Sequence, residues 1–124
     1  MPFIPREDAP TFELPNASFI GLAAPSRGAT ETAAWIVALH PGAPGLPHRV
    51  TREEIFVCIE GQGLATLGDE THEISSGSAL VVPAGTLFAL SNPGTTLFRA
   101  VAMLPVGGQA CVEGQAPFTP PWAA

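Results

Sequence analysis

Fourteen prolines and 13 glycines cut this chain into pieces suited to strands and turns rather than long helices. Proline lacks a backbone donor and fixes φ, so it ends helices and inner strands, while glycine supplies the conformations that tight turns require. The runs between turn signals such as "PGAPGLP" and "GQG" include "TAAWIVALH", "EEIFVCIE", "LATL", "THEIS", "SALVVP", "LFALSNPG" and "TTLFRAVAML". They are short, apolar and rich in β-branched and aromatic residues, and no segment of useful length shows a helical period. Many short strands at this spacing predict an all-β sandwich or barrel.

A length of 124 residues suits one domain with one core. Residues 1–30, rich in Pro, Ala, Ser and Gly, read as an N-terminal arm or edge strands. Residues 31–104 read as the barrel core, and 105–124 as a Pro-rich tail whose Phe118 and Trp122 dock on the barrel or on a partner subunit. "LATLGDETHEIS" predicts a hairpin turning at Gly68 and Asp69, with His72 on its solvated arm.

Charge narrows the partners. The formal net charge is -6 with five Lys plus Arg, which offers no basic footprint for nucleic acid and no polybasic surface for anionic lipid. The opening "MPFIPRED" lacks the apolar core of a signal peptide, and the longest apolar run, Ala33 to Leu39, is far short of a membrane span. Cys58 and Cys111 have no C-x-x-C spacing, and two free buried thiols are expected. These features together predict a cytoplasmic protein.

From Gly42 the order is Gly, five residues, His48, one residue, Val50, three residues, Glu54, six residues, Gly61. Further on it is Gly77, five residues, Pro83, one residue, Gly85, two residues, Phe88, three residues, Asn92. In order and spacing the pair resembles the two motifs of the cupin superfamily. That resemblance implies a double-stranded jelly-roll β-barrel, often a homodimer, with a small-molecule site in its mouth. It also implies a His-His-Glu-His metal set, of which this chain keeps only His48 and Glu54. Val50 and Phe88 stand at the other two ligand positions.

Stable sites for Zn²⁺, Mn²⁺ or Fe²⁺ generally carry three or more protein ligands. The expectation is therefore a barrel without a tightly bound metal. If a divalent metal (Fe, Mn, Zn or Ni) binds, the chain would have to bring His40, at the end of "TAAWIVALH", beside His48 and Glu54 as a two-His, one-carboxylate triad.

Strand alternation assigns the faces. With Glu54 inward, Phe56 and Cys58 follow it, and Thr86, Phe88 and Leu90 share a face. The expected pocket is then lined by His48, Val50, Glu54, Phe56, Cys58 and Phe88, apolar with a few converging polar groups. Arg49, Arg52 and Glu53 form a charged rim, and Arg99 is a charge on the sheet surface.

A carboxyl among such side chains is poorly solvated, which raises its pKa and makes Glu54 and His48 an acid-base pair. A lyase, isomerase or cyclase acting through that pair is the leading expectation. The alternatives are a metal-dependent dioxygenase or isomerase using His40, His48 and Glu54, and a metabolite-binding module without catalysis. A homodimer is expected from the resemblance, with a mean hydropathy of +0.29 in support.

Overall fold

The computed structural model describes all 124 residues. Eleven strands, β1 (Thr11–Leu14), β2 (Ala17–Ala23), β3 (Thr32–Leu39), β4 (Arg49–Val50), β5 (Glu54–Glu60), β6 (Gln62–Leu67), β7 (Glu70–Ser75), β8 (Ala79–Val82), β9 (Phe88–Ser91), β10 (Phe98–Pro105) and β11 (Ala110–Cys111), carry the fold. The only helical pieces are 3-10 turns at Arg6–Asp8, Pro25–Arg27 and Pro121–Ala123. None is long and apolar enough to cross a membrane.

The strands form an antiparallel jelly roll. A six-stranded sheet has the order β1-β2-β3-β10-β5-β8, a three-stranded sheet the order β7-β6-β9, and β11 pairs with β4. One core joins them, with Trp35, Val37 and Leu39 of β3, Phe56 and Cys58 of β5, Ala65 of β6, Ile74 of β7, Phe88 of β9 and Phe98 of β10 in a single cluster. Burying each large side chain of this kind contributes roughly 1.5–3 kcal/mol.

Large and small side chains alternate across the sheet. Ala102 lies beside Trp35 and Ala100 beside Val37, so β10 leaves the space that the β3 side chains occupy. At one end of the barrel Phe98 lies against the bare backbone of Gly63, where a Cβ would meet the ring at 2.8 Å. Gly61, at φ +74°, turns β5 into β6 against the Leu97 carbonyl, in a conformation that few other residues adopt.

The hairpin turns at Gly68 and Asp69, with Leu67 opposite Glu70. His72 is exposed on β7, 3.6 Å from Glu70. Arg99 pairs with Glu60 at 3.3 Å on the outside of the large sheet.

The two ends of the chain meet. The Trp122 ring stacks on Phe19 of β2, centroids 3.6 Å apart and planes 4° from parallel, with Phe12 edge-on at 6.2 Å. The Trp122 carbonyl accepts a bond from Arg27 Nη2 at 3.3 Å, and the Ala124 carbonyl one from the Ser26 hydroxyl at 2.7 Å.

Candidate functional site

Away from the end that Phe98 fills, the barrel opens into a cavity of about 620 Å³. That is the size of sites for drug-sized ligands, roughly 300–1,000 Å³. β3 supplies Trp35, Val37 and Leu39 to its wall, β5 supplies Glu54 and Phe56, β9 supplies Phe88 and Leu90, and His48 and Val50 come from the segment around β4.

Glu54 opens β5, where alternation turns Glu54, Phe56 and Cys58 inward together. It is 4% exposed, and its Oε1 is fully buried with no hydrogen-bond partner. Burial pushes its pKa up to about 8, because an ionised carboxylate would lose its water without gaining a compensating charge. The buried amide of Asn92 is the opposite case. Its Nδ2 donates to the Leu39 and Thr96 carbonyls at 2.9 and 2.8 Å, and its Oδ1 accepts from the Gly94 N–H at 3.1 Å.

His48 is half-buried, and its Nδ1 lies 2.9 Å from the Leu46 carbonyl. A carbonyl only accepts, so Nδ1 carries the proton and Nε2 holds the lone pair in the neutral ring. The ring packs on Phe88 with centroids 4.3 Å apart. His48 and Glu54 line the same cavity without an ion pair between them.

The expected lining thus places His48, Val50, Glu54, Phe56 and Phe88 around one space. Cys58 is a correction. It faces inward and is buried, but lies past the end of the cavity, with its Sγ 3.7 and 3.5 Å from the Glu60 and Gly61 carbonyls. Thr86 is a second: β9 begins only at Phe88, and Thr86 sits in the preceding turn with its N–H on the Pro83 carbonyl. Cys111 is half-buried rather than buried, and neither cysteine is in a disulfide.

His40 is the third. Its backbone bonds to Asn16 and Ala43 while its side chain is exposed, so it does not join His48 and Glu54. No group of three His, Cys, Asp or Glu side chains that could hold a metal ion comes together anywhere in the chain. The donors present do not fit the metal set of the resemblance, since two donors among apolar walls leave most of a cation's coordination unmet.

Most of the cavity wall lies outside the lining expected from sequence. Leu14, Asn16 and Phe19 from the first strands and Phe118, Pro120 and Trp122 from the tail also line it. The tail's aromatic residues signalled docking, but no local pattern tells which surface a tail will cover.

A family model described as the cupin domain matches residues 35–104. The polyketide cyclase RemF from Streptomyces resistomycificus has a similar structure, with a TM-score of 0.78 at 18% identity, covering 94% of this chain and 87% of that one. KdgF from Halomonas sp. gives a TM-score of 0.72 at 20% identity, covering 83% and 93%. Among curated proteins, the dimethylsulfoniopropionate lyase DddW from Ruegeria pomeroyi is 40% identical over 48 residues, which is 39% of this chain and 32% of the lyase. The match therefore spans about a third of that relative's length.

Proposed function

The chain belongs to the cupin family, and we propose that it is a small-molecule enzyme, a lyase, isomerase or cyclase that moves protons with Glu54 and His48. The observation that carries this reading is Glu54, which lines an apolar cavity and has a buried Oε1 with no hydrogen-bond partner. A protein gains no stability from such a group, and perturbed carboxyls in clefts are characteristic of acid-base chemistry. With a pKa of about 8, Glu54 is a neutral acid at neutral pH and can give up a proton.

The roles follow from the proton inventory. A substrate oxygen held at Glu54 receives its proton. His48 Nε2 takes a proton from the neighbouring carbon as that C–H bond breaks, and the electron pair passes into the substrate's new double bond. Protonated His48 then gives its proton to another carbon while Glu54 takes back the proton from the oxygen, which completes an isomerisation. If the enol carbon instead bonds to a second carbonyl carbon, whose oxygen takes the His48 proton as Glu54 recovers its own, a ring closes. If a leaving group departs with its bonding electron pair and the His48 proton while Glu54 recovers its own, an elimination is complete. The cyclase and lyase named above share this barrel or part of this sequence, and they support that reaction class.

The test pairs Glu54→Gln with His48→Ala. Each should lower turnover by at least about 100-fold while the far-ultraviolet circular dichroism stays native. Full turnover in both variants would sink the proposal.

The same reading includes a homodimer in a reducing compartment. Free Cys58 and Cys111 support the compartment. On the outer face of the large sheet, Ile36, Val101 and Val57 lie in register, and beside them Ala34, Met103, Ile55 and Val81 form a second apolar row. A contiguous apolar face of this kind supports pairing with a second copy. Light scattering should return twice the 12.8 kDa chain mass, and a monomer would remove this part.

A further inference from the structure

The chain has seven phenylalanines, two tryptophans and no tyrosine. Six of these nine rings, Phe19, Trp35, Phe56, Phe88, Phe118 and Trp122, line the one cavity that holds Glu54. Phe19 and Trp122 stack on each other in that wall, 3.6 Å between centroids. Aromatic walls favour flat partners, which gain offset or edge-to-face contacts beyond simple burial. The mouth is apolar too: Leu14, Leu46 and Phe118, 50%, 63% and 37% exposed, all border the cavity.

Charge is the second constraint. No Lys or Arg lines the cavity, and His48 is the only lining group able to become positive. A carboxylate or phosphate entering this space would leave water with no cation to meet it, which disfavours anions. The polar side chains in the wall are Asn16, His48 and Glu54, none of them a fixed cation. Glu54, kept neutral by the same apolar surroundings, has one O–H to offer and nothing within the chain bonded to its buried Oε1.

We propose that the cavity takes a neutral, planar compound of several fused rings, whose ketone or phenol oxygen is held by Glu54, and that it rejects acidic and phosphorylated compounds. This substrate class rests on the function proposed above, whose site it shares, but it is tested by binding rather than by turnover.

Both tryptophans, Trp35 and Trp122, lie in the cavity wall, so intrinsic fluorescence reports its occupancy directly. Three probes separate the contributions: fluorenone carries rings and a ketone, fluorene the rings alone, and fluorenone carboxylate an added charge. At neutral pH fluorenone should quench saturably, with a Kd at least about tenfold below those of the other two. In Glu54→Leu the fluorenone and fluorene values should converge. Glu54→Gln should keep them apart, since its amide still donates.

Equal affinity for fluorenone and its carboxylate overturns the proposal, as does a fluorenone preference that survives Glu54→Leu, or the absence of saturable binding by any probe. If Glu54→Leu does not fold, the three probes on the unsubstituted protein decide alone. Turnover that survives Glu54→Gln and His48→Ala would end the assignment of proton transfer to these two residues while leaving the probe order intact, so the two failures are distinguishable.

Discussion

His48 and Phe88 hold each other twice. Their main chains exchange reciprocal hydrogen bonds, His48 N–H to the Phe88 carbonyl at 3.0 Å and Phe88 N–H to the His48 carbonyl at 2.9 Å, and their rings pack with centroids 4.3 Å apart. On the cupin resemblance these would be the first ligand position of one motif and the last of the other. The barrel brings the two positions together, but an apolar ring stands where a third donor would join His48 and Glu54.

On the cupin resemblance, side chains and not backbone are therefore expected to limit metal binding. After incubation with Zn²⁺ and desalting, the protein should retain less than about a tenth of an equivalent. The double variant Val50→His, Phe88→His restores four donors and should retain close to one. Stoichiometric zinc in the unsubstituted protein, measured by plasma mass spectrometry, would contradict this account of the cavity.

Glu54 makes stability depend on pH with a definite sign. Its carboxyl titrates near 8 when folded and near 4.5 when exposed, so between these values the folded chain binds the extra proton. The stabilisation is fully present below pH 4.5 and is lost as the pH rises through 8. Relative to Glu54→Gln, whose amide does not ionise, the protein should lose on the order of 3–5 kcal/mol between these limits. Urea unfolding of both proteins at the two ends of the range measures this difference, and parallel pH curves would show that Glu54 is not held neutral.

Much of the site was legible because it depends on short-range rules. Two motif spacings brought His48, Val50, Glu54 and Phe88 to one place, and the two-residue period of β5 turned Glu54 and Phe56 inward. The same period misplaced Cys58, since alternation reports the face of a strand but not where along it the cavity ends. His40 follows the last residue of β3, Leu39, and lies at the turn beyond it, where its side chain is exposed. The walls given by Phe19 and Trp122 depend on a contact between the two ends of the chain, which leaves no local periodicity to read.

That contact is itself testable. Trp122 is only half-buried, yet it stacks on Phe19, meets Phe12 edge-on and fastens the tail through Arg27. Trp122→Ala removes this clasp and should cost about 2 kcal/mol, less than a fully buried tryptophan would. A urea midpoint within error of the original would show that the tail packs without contributing.

The two histidines of the retained and discarded ligand sets should behave in opposite ways. His40 is exposed, borders neither Glu54 nor the cavity, and its backbone bonds to Asn16 and Ala43 do not involve the ring. His40→Ala should therefore change stability by less than about 0.5 kcal/mol and leave both turnover and ligand affinity in place. His48→Ala removes the Nδ1 bond to Leu46, the packing on Phe88 and the lone pair on Nε2. It should abolish turnover, whereas His48→Gln, which restores a polar side chain of similar length but no basic nitrogen, should recover stability without recovering rate. Recovery of rate by glutamine would assign His48 to orientation of the substrate, and proton removal would then have to be sought at Glu54 alone.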